Sequence, residues 1–162
     1  MIEPMTITDF VIESNRIEGI ERASDDPQLA AEIEATNRFV SWPWLTVASL
    51  EEFVSVCTGG RAQLRRAVGM NVRVGNHIAP LGGPEIETRL QVILDTQRTR
   101  CHSALETHCL YEDLHPFTDG NGRSGRVLWL WQHGGNAPIG FLHEFYYRTL
   151  DAFGGISGRD TG

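Results

Sequence analysis

The stretch His115-Pro116-Phe117-Thr118-Asp119-Gly120-Asn121-Gly122-Arg123-Ser124-Gly125-Arg126 decides how this chain is read, because one run holds a histidine, a glycine-rich turn and two arginines. A residue before proline is biased away from helical torsions, so the helical pattern leading up to His115 must end there. Gly120, Asn121 and Gly122 allow backbone torsions that turn successive N–H groups into one concavity, a nest for an anion. The helix predicted to follow, from about Arg123 to Gln132, adds unpaired N–H groups and the positive end of its dipole. Arg123 and Arg126 stand three apart, on one face of its first turn. Cations are disfavoured at that end of a helix, so two of them imply an anion or an acidic side chain that offsets them. Their guanidinium forks suit phosphate oxygens. Asp119 offers an oxygen to Mg2+, which usually bridges a carboxylate and substrate phosphates. His115 is the one group in the run that accepts a proton near pH 7. Phe117 is the expected apolar anchor of the loop. The run reads as nucleotide phosphate binding beside a general base.

Outward from that run, apolar spacing predicts a mainly α chain. Ile7, Phe10 and Val11 mark a helix over Thr6–Glu18 that stops at Gly19. A second is expected from Pro27, behind Asp25-Asp26, to about Ser41, and a third from about Thr46 to Gly59-Gly60. Asn71-Val72-Arg73-Val74-Gly75-Asn76-His77-Ile78 reads as a small hairpin turning at Gly75-Asn76. Helices from Pro84 to about Arg100 and from about His102 to Leu114 lead to the decisive run. Beyond it the chain predicts a Gly-Gly-Asn-Ala-Pro loop, a last helix near Leu142–Phe153 and a flexible tail over 154–162. Trp42-Pro43-Trp44 is expected to turn and pack both rings. Of Trp129 and Trp131, one should be core and one partly exposed. No internal repeat or long linker divides the chain, so residues 1–153 are expected to form one domain.

Composition narrows the function classes. The chain has 162 residues with a formal net charge of −7, which argues against nucleic acid as a partner, since that needs a basic face. All 14 basic residues are arginine, so a Walker-type phosphate loop and a lysine Schiff base are both excluded. Three cysteines (Cys57, Cys101, Cys109) make no disulfide framework. Cys101, His102, His108 and Cys109 do not form a tetrahedral zinc set, because two ligands seven apart on one helix leave the site incomplete. The start lacks a basic segment followed by an apolar run, and no apolar stretch approaches the about 18 residues of a membrane span. A reducing, cytoplasmic setting without a membrane partner is expected. His108 is expected to be a hydrogen-bonded core histidine, and His77 a surface residue of the hairpin.

The run from His115 to Arg126 resembles the signature of the Fic (filamentation-induced-by-cAMP) family, H-P-F-x-(D/E)-G-N-G-R-x-x-R, with every fixed position present. His108, Tyr111, Glu112 and Leu114 fit the family's upstream pattern, and Val72–Pro80 looks like its flap. The resemblance covers roughly residues 6–153 and departs from the Doc branch, whose loop has Ala and Lys where this chain has Gly120 and Gly122 and which phosphorylates its target. It implies a Fic-type helical bundle with a short β-hairpin flap over residues 71–80. The activity it implies is transfer of AMP from ATP, with Mg2+, to a Ser, Thr or Tyr hydroxyl of a target protein. His115 would be the base and Asp119 the metal ligand. Gly120, Asn121, Gly122, Arg123 and Arg126 would hold the phosphates. Val72, Arg73, Val74, Gly75, Asn76, His77 and Ile78 would pair with an extended target segment as an added strand.

The N-terminal helix carries a second pattern. Ser14 and Glu18 fall on the same stripe as Ile7, Phe10 and Val11, where core residues belong. An inward carboxylate is costly unless it is paired, and the arginines of the decisive run are the best partners on offer. Ser14-Asn15-Arg16-Ile17-Glu18-Gly19 also resembles the Fic inhibitory pattern (S/T)-x-x-x-E-(G/N). That resemblance implies that Ser14 and Glu18, on a helix over residues 6–19, hold Arg126 and obstruct the γ-phosphate. Other readings stay open on the sequence: removal of AMP, transfer of another nucleotide or phosphate group, or a nucleotide-binding sensor or toxin–antitoxin module with little turnover. Self-association and the target's identity are also open.

Overall fold

Side-chain caps written into the sequence start most of the helices in the computed structural model, which describes residues 4–99 and 102–138. A two-residue strand β1 (Pro4–Met5) leads to Thr6, whose hydroxyl accepts from the Asp9 N–H and opens α1 (Ile7–Ile17). Asp26 caps α2 (Pro27–Ser41), with Pro27 in its first turn. Thr46 and Ser49 form a reciprocal capping box before α3 (Val47–Thr58), and a left-handed Gly59 closes that helix. The hairpin β2 (Arg73–Val74) and β3 (His77–Ile78) follows, then α4 (Pro84–Thr99). A second capping box, Ser103 with Glu106, opens α5 (Ala104–Leu114). The chain then runs through α6 (Asn121–Gln132) to β4 (Ala137–Pro138).

Helix α6 is the axis of the fold, packed against α1, α2, α3 and α5. From Val127 to Trp131 it is apolar on all sides, as a core segment is, and Val127, Leu128, Trp129 and Leu130 are all buried. One apolar cluster joins α6 to α2, α3, α4 and α5 through Phe39, Leu50, Phe53, Leu90, Tyr111, Leu114 and Phe117. A second cluster, built on Met5, Phe10, Val11, Leu29, Trp129 and Leu130, holds α1 against α2 and α6. Among the described residues no helix is long and apolar enough to cross a membrane.

The mainly helical reading with one hairpin holds, and the differences are local. Helix α5 starts at Ala104 rather than about His102, because Ser103 supplies the cap. Helix α6 starts at Asn121, two residues before the expected Arg123, because Gly120 takes φ 79° and lets the helix begin sooner. The Gly-Gly-Asn-Ala-Pro segment is not loop to its end, since Ala137 and Pro138 pair antiparallel with Met5 and Pro4. Two residues per strand are too few to leave a periodic signal. Trp42 and Trp44 do not pack both rings: they are 42% and 55% exposed, and Trp42 contributes its carbonyl to the Trp131 indole N–H instead. Trp129 is buried and Trp131 partly exposed, as expected. The expected helix near Leu142–Phe153, the tail over 154–162, and Cys101 lie outside the described residues.

The connection from the hairpin to α4 is tight at Gly82. Its N–H donates to Asn71 Oδ1 at 2.9 Å, and a Cβ there would overlap Met70 O and stand 2.8 Å from Ala67 O. Backbone oxygens cannot swing aside as a flexible side chain can. Gly82→Ala is expected to lower stability by about 1–3 kcal/mol through overpacking, read as a reduced denaturant midpoint with an unchanged m-value.

Candidate active site

The turn between α5 and α6 is built around one amide. Asn121 Oδ1 accepts from Phe117 N at 2.9 Å, and Asn121 Nδ2 donates to Phe117 O at 2.8 Å, so a fully buried side chain clasps the backbone four residues upstream. Phe117 is buried in the larger cluster and bridges to Leu64, which makes it the anchor that its position suggested. Ser124 secures the next turn, with Oγ donating to Gly120 O at 2.7 Å and lying 2.6 Å from Tyr111 Oη. The loop is therefore rigid on both sides.

His115 caps the C-terminal end of α5 in the left-handed region, at φ 48° and ψ 63°. A non-glycine residue there is uncommon and its strain is held by the surroundings. The helical bond from His115 N to Tyr111 O (2.9 Å) holds it from one side and the Arg65 guanidinium, on His115 O at 2.7 Å, from the other. Burial, together with the nearby charges of Arg65 and His77, brings the imidazole pKa down to about 4. The ring is neutral at neutral pH and keeps a lone pair for a proton.

Beyond Asp119 the N-terminus of α6 has no side-chain cap. Its first N–H groups therefore depend on an anion, or on an acidic side chain from elsewhere in the fold. Asp119 uses Oδ1 to accept from its neighbour's N–H, Gly120 N, at 2.7 Å and is exposed. Among the described residues no cluster of three or more His, Cys, Asp or Glu could hold a metal. Of the oxygen ligands that a hard cation requires, the exposed Asp119 carboxylate could supply one, and phosphate and water would have to supply the rest. Arg123 turns inward: Nη1 donates to Cys57 O at 2.8 Å, and its buried Nε has no hydrogen-bond partner among the described residues.

Arg126 is 3% exposed and faces α1. Nε donates to Ser14 Oγ at 2.8 Å, while Nη2 reaches Glu18 Oε1 at 2.7 Å and Ser14 O at 3.2 Å. A Cβ on Gly122 would overlap Glu18 Oε1, so the carboxylate lies directly against the first turn of α6. Glu18 is therefore the acid that offsets Arg126, while Arg123 turns to a backbone carbonyl. Behind it, Asn15 Nδ2 donates to the buried Glu32 at 2.7 Å, and Arg22 and Gln28 bind the same carboxylate.

The structure thus brings His115, Asp119, Gly120, Asn121, Gly122, Arg123 and Arg126 together with Ser14 and Glu18. The hairpin stands beside them through His77, whose Nε2 donates to Asp113 O at 3.0 Å. His77 is partly buried against α5, which corrects the surface placement. His108 is the expected core histidine, 5% exposed with Nδ1 3.2 Å from Gly125 O, and burial takes its pKa down to about 3. Sequence reading missed Arg65, Asn15 and Glu32. A hydrophobic wheel places Asn15 and Glu32 but cannot show that they meet, and Arg65 sits in a stretch with no periodicity at all.

The profile of the Fic/DOC family matches residues 50–132. No curated protein sequence matches the chain. Among solved structures, Fic-1 from C. elegans (a fragment, residues 134–508) is similar at a TM-score of 0.56 and 20% identity, over 91% of this chain and 55% of that one. A Fic family protein from Desulfovibrio desulfuricans G20 is similar at a TM-score of 0.54 and 17% identity, again over 91% and 55%. The chain spans a little over half the length of either structure.

His115 accepts its proton less readily folded than unfolded, so the unfolded state binds more protons between about pH 4 and 6.5, and folding stability from this group rises with pH across that window. His115→Gln removes the slope. The stability difference between wild type and His115→Gln is expected to shift by on the order of 1–3 kcal/mol in favour of the wild type between pH 4 and 7, read from denaturant titrations at each pH.

Proposed function

The chain belongs to the Fic/DOC family, and from that premise we propose that it is a protein adenylyltransferase held in check by its own first helix. The family transfers nucleotide groups such as AMP to proteins; the donor, the residue roles and the restraint are our reading of this chain. What carries it is one observation: a neutral, buried histidine and an uncapped helix N-terminus joined by a single clasped loop.

In this reading the α6 N-terminus, with Gly120, Gly122 and the backbone of Asn121, receives the phosphates of ATP, and Arg123 and Arg126 offset their charge. Mg2+ would neutralise charge on the departing phosphates, with Asp119 as its protein ligand. His115 takes the proton from a target hydroxyl as that oxygen attacks the α-phosphorus. The new P–O bond forms as the bond to the bridging oxygen breaks, and pyrophosphate leaves with the electron pair. The loop needs little rearrangement for this, and most acceleration comes from position and charge. The hairpin over residues 71–80 holds the target segment as an added strand.

Glu18 is the restraint. Its carboxylate takes the place of an anion at the first turn of α6 and occupies the guanidinium that a γ-phosphate needs. One carboxylate cannot share that space with a phosphate of like charge. The side chains of the pair are nearly buried, so little solvent screens it.

Transfer of α-phosphate label from ATP with Mg2+ tests both parts. Glu18→Gly is expected to label itself or lysate proteins at least tenfold faster than wild type, and Glu18→Gly/His115→Ala to lose a factor of about 10^2–10^4 from that rate. Equal labelling by wild type and Glu18→Gly would remove the restraint from the reading. Absence of label from every variant, with ATP still bound, would point to another donor.

A further inference from the structure

Arg65 lies in the irregular segment between α3 and the hairpin, yet it is fully buried and heads the largest side chains of the interior. Its side-chain hydrogen bonds all end on backbone carbonyls. Nε donates to His115 O at 2.7 Å and Nη2 to Leu114 O at 2.8 Å. Nη1 divides its two hydrogens between Met70 O at 3.1 Å and Pro80 O at 2.8 Å. Met70 and Pro80 are the two legs of the hairpin segment, so one nitrogen clasps its base, and the opposite edge of the same guanidinium holds the turn that presents His115.

Among the described residues no carboxylate pairs with Arg65, so this buried cation needs another source of stabilisation, and the end of α5 supplies it. The last carbonyls of a helix have no intrahelical donors and form the negative end of its dipole, where a guanidinium is favoured. The backbone of Arg65 ties in the same two regions, donating to Pro116 O at 2.9 Å and accepting from Gly83 N at 2.9 Å. Only a planar fork with donors on both edges spans four carbonyls set this way, and lysine presents a single point.

We propose that Arg65 is a positioning residue that couples the hairpin to His115 through the four carbonyls, so that the element expected to align the target hydroxyl and the group expected to deprotonate it keep a fixed separation. This rests on the transfer reading for its meaning, but the coupling itself is a property of the fold.

Two measurements test it. The first is amide hydrogen exchange on the whole chain. In wild type at low denaturant, the Arg65, Gly83 and His115 amides are expected to share one opening free energy. In Arg65→Lys the Met70, Gly83 and His115 amides are expected to exchange at least tenfold faster, with Phe39 and Leu50 amides in α2 and α3 within twofold of wild type. The second uses the Glu18→Gly background. Arg65→Lys is expected to bind ATP within threefold of its parent and to transfer label to lysate proteins at least tenfold more slowly, with Arg65→Met no better. Separate openings in wild type, loss of protection on one side only, an even loss throughout the chain, or rescue of transfer by lysine would each overturn the coupling. Should the Glu18→Gly parent transfer no label, the transfer reading falls, and hydrogen exchange still decides the coupling.

Discussion

The buried guanidinium of Arg126 is the constraint around which the rest is arranged. Burying a charge costs several kcal/mol unless a partner takes it up, and this one stands at the end of a helix that repels cations. Ser14 and Glu18 answer it with a hydroxyl, a carbonyl and a carboxylate, from the last turn of α1 and the residue that caps it. That requirement orients α1: the face that carries Phe10 and Val11 into the smaller apolar cluster is the face that delivers Ser14 and Glu18. Packing and charge agree on one docking. If a nucleotide phosphate replaced Glu18, Arg126 would keep a partner, and the helix would lose one of its reasons to sit where it does.

The turn between α5 and α6 shows a different economy of means. Asn121 closes it by spending its whole amide on Phe117, so the residue expected to cradle phosphate does so, in the proposed reading, by backbone alone. Arg123 likewise gives part of its fork to Cys57 O in α3. The Asn121 amide serves the shape of the site rather than its contents, and Arg123 is shared between the two. The left-handed torsions of His115 belong to the same design, since they turn the chain sharply out of α5 while the helix keeps its final hydrogen bond.

What could be read in the sequence follows from range. Caps and breakers act over three or four residues, so Pro27 and Thr46 betray their helices within a residue, and α5, expected from about His102, starts at Ala104 behind Ser103. The run from His115 to Arg126 is continuous, and its chemistry is legible because its partners are neighbours. Glu18 and Arg126 lie 108 positions apart; an acid on an apolar stripe pointed to an arginine of the run, and the resemblance to the Fic inhibitory pattern singled out Arg126. Arg65 gave no such sign. Its partners are backbone carbonyls, which every residue has, so nothing in the identity of Met70, Pro80, Leu114 or His115 advertises the contact. The exposed Trp42 and Trp44 failed expectation for the converse reason, because aromatic character says what could be buried and not whether a surface is there to bury it.

The small sheet of Pro4–Met5 with Ala137–Pro138 gives α1 a tether one residue long, since Thr6 alone separates the strand from the helix. A restraint held that way is never dilute. In the proposed reading Glu18 competes with nucleotide at a fixed effective concentration, millimolar or above as for other short links, and set by geometry rather than by abundance. Relief by nucleotide alone would then mean outbidding a competitor that cannot diffuse away. Fraying the short sheet would lower that concentration without touching a single residue of the site.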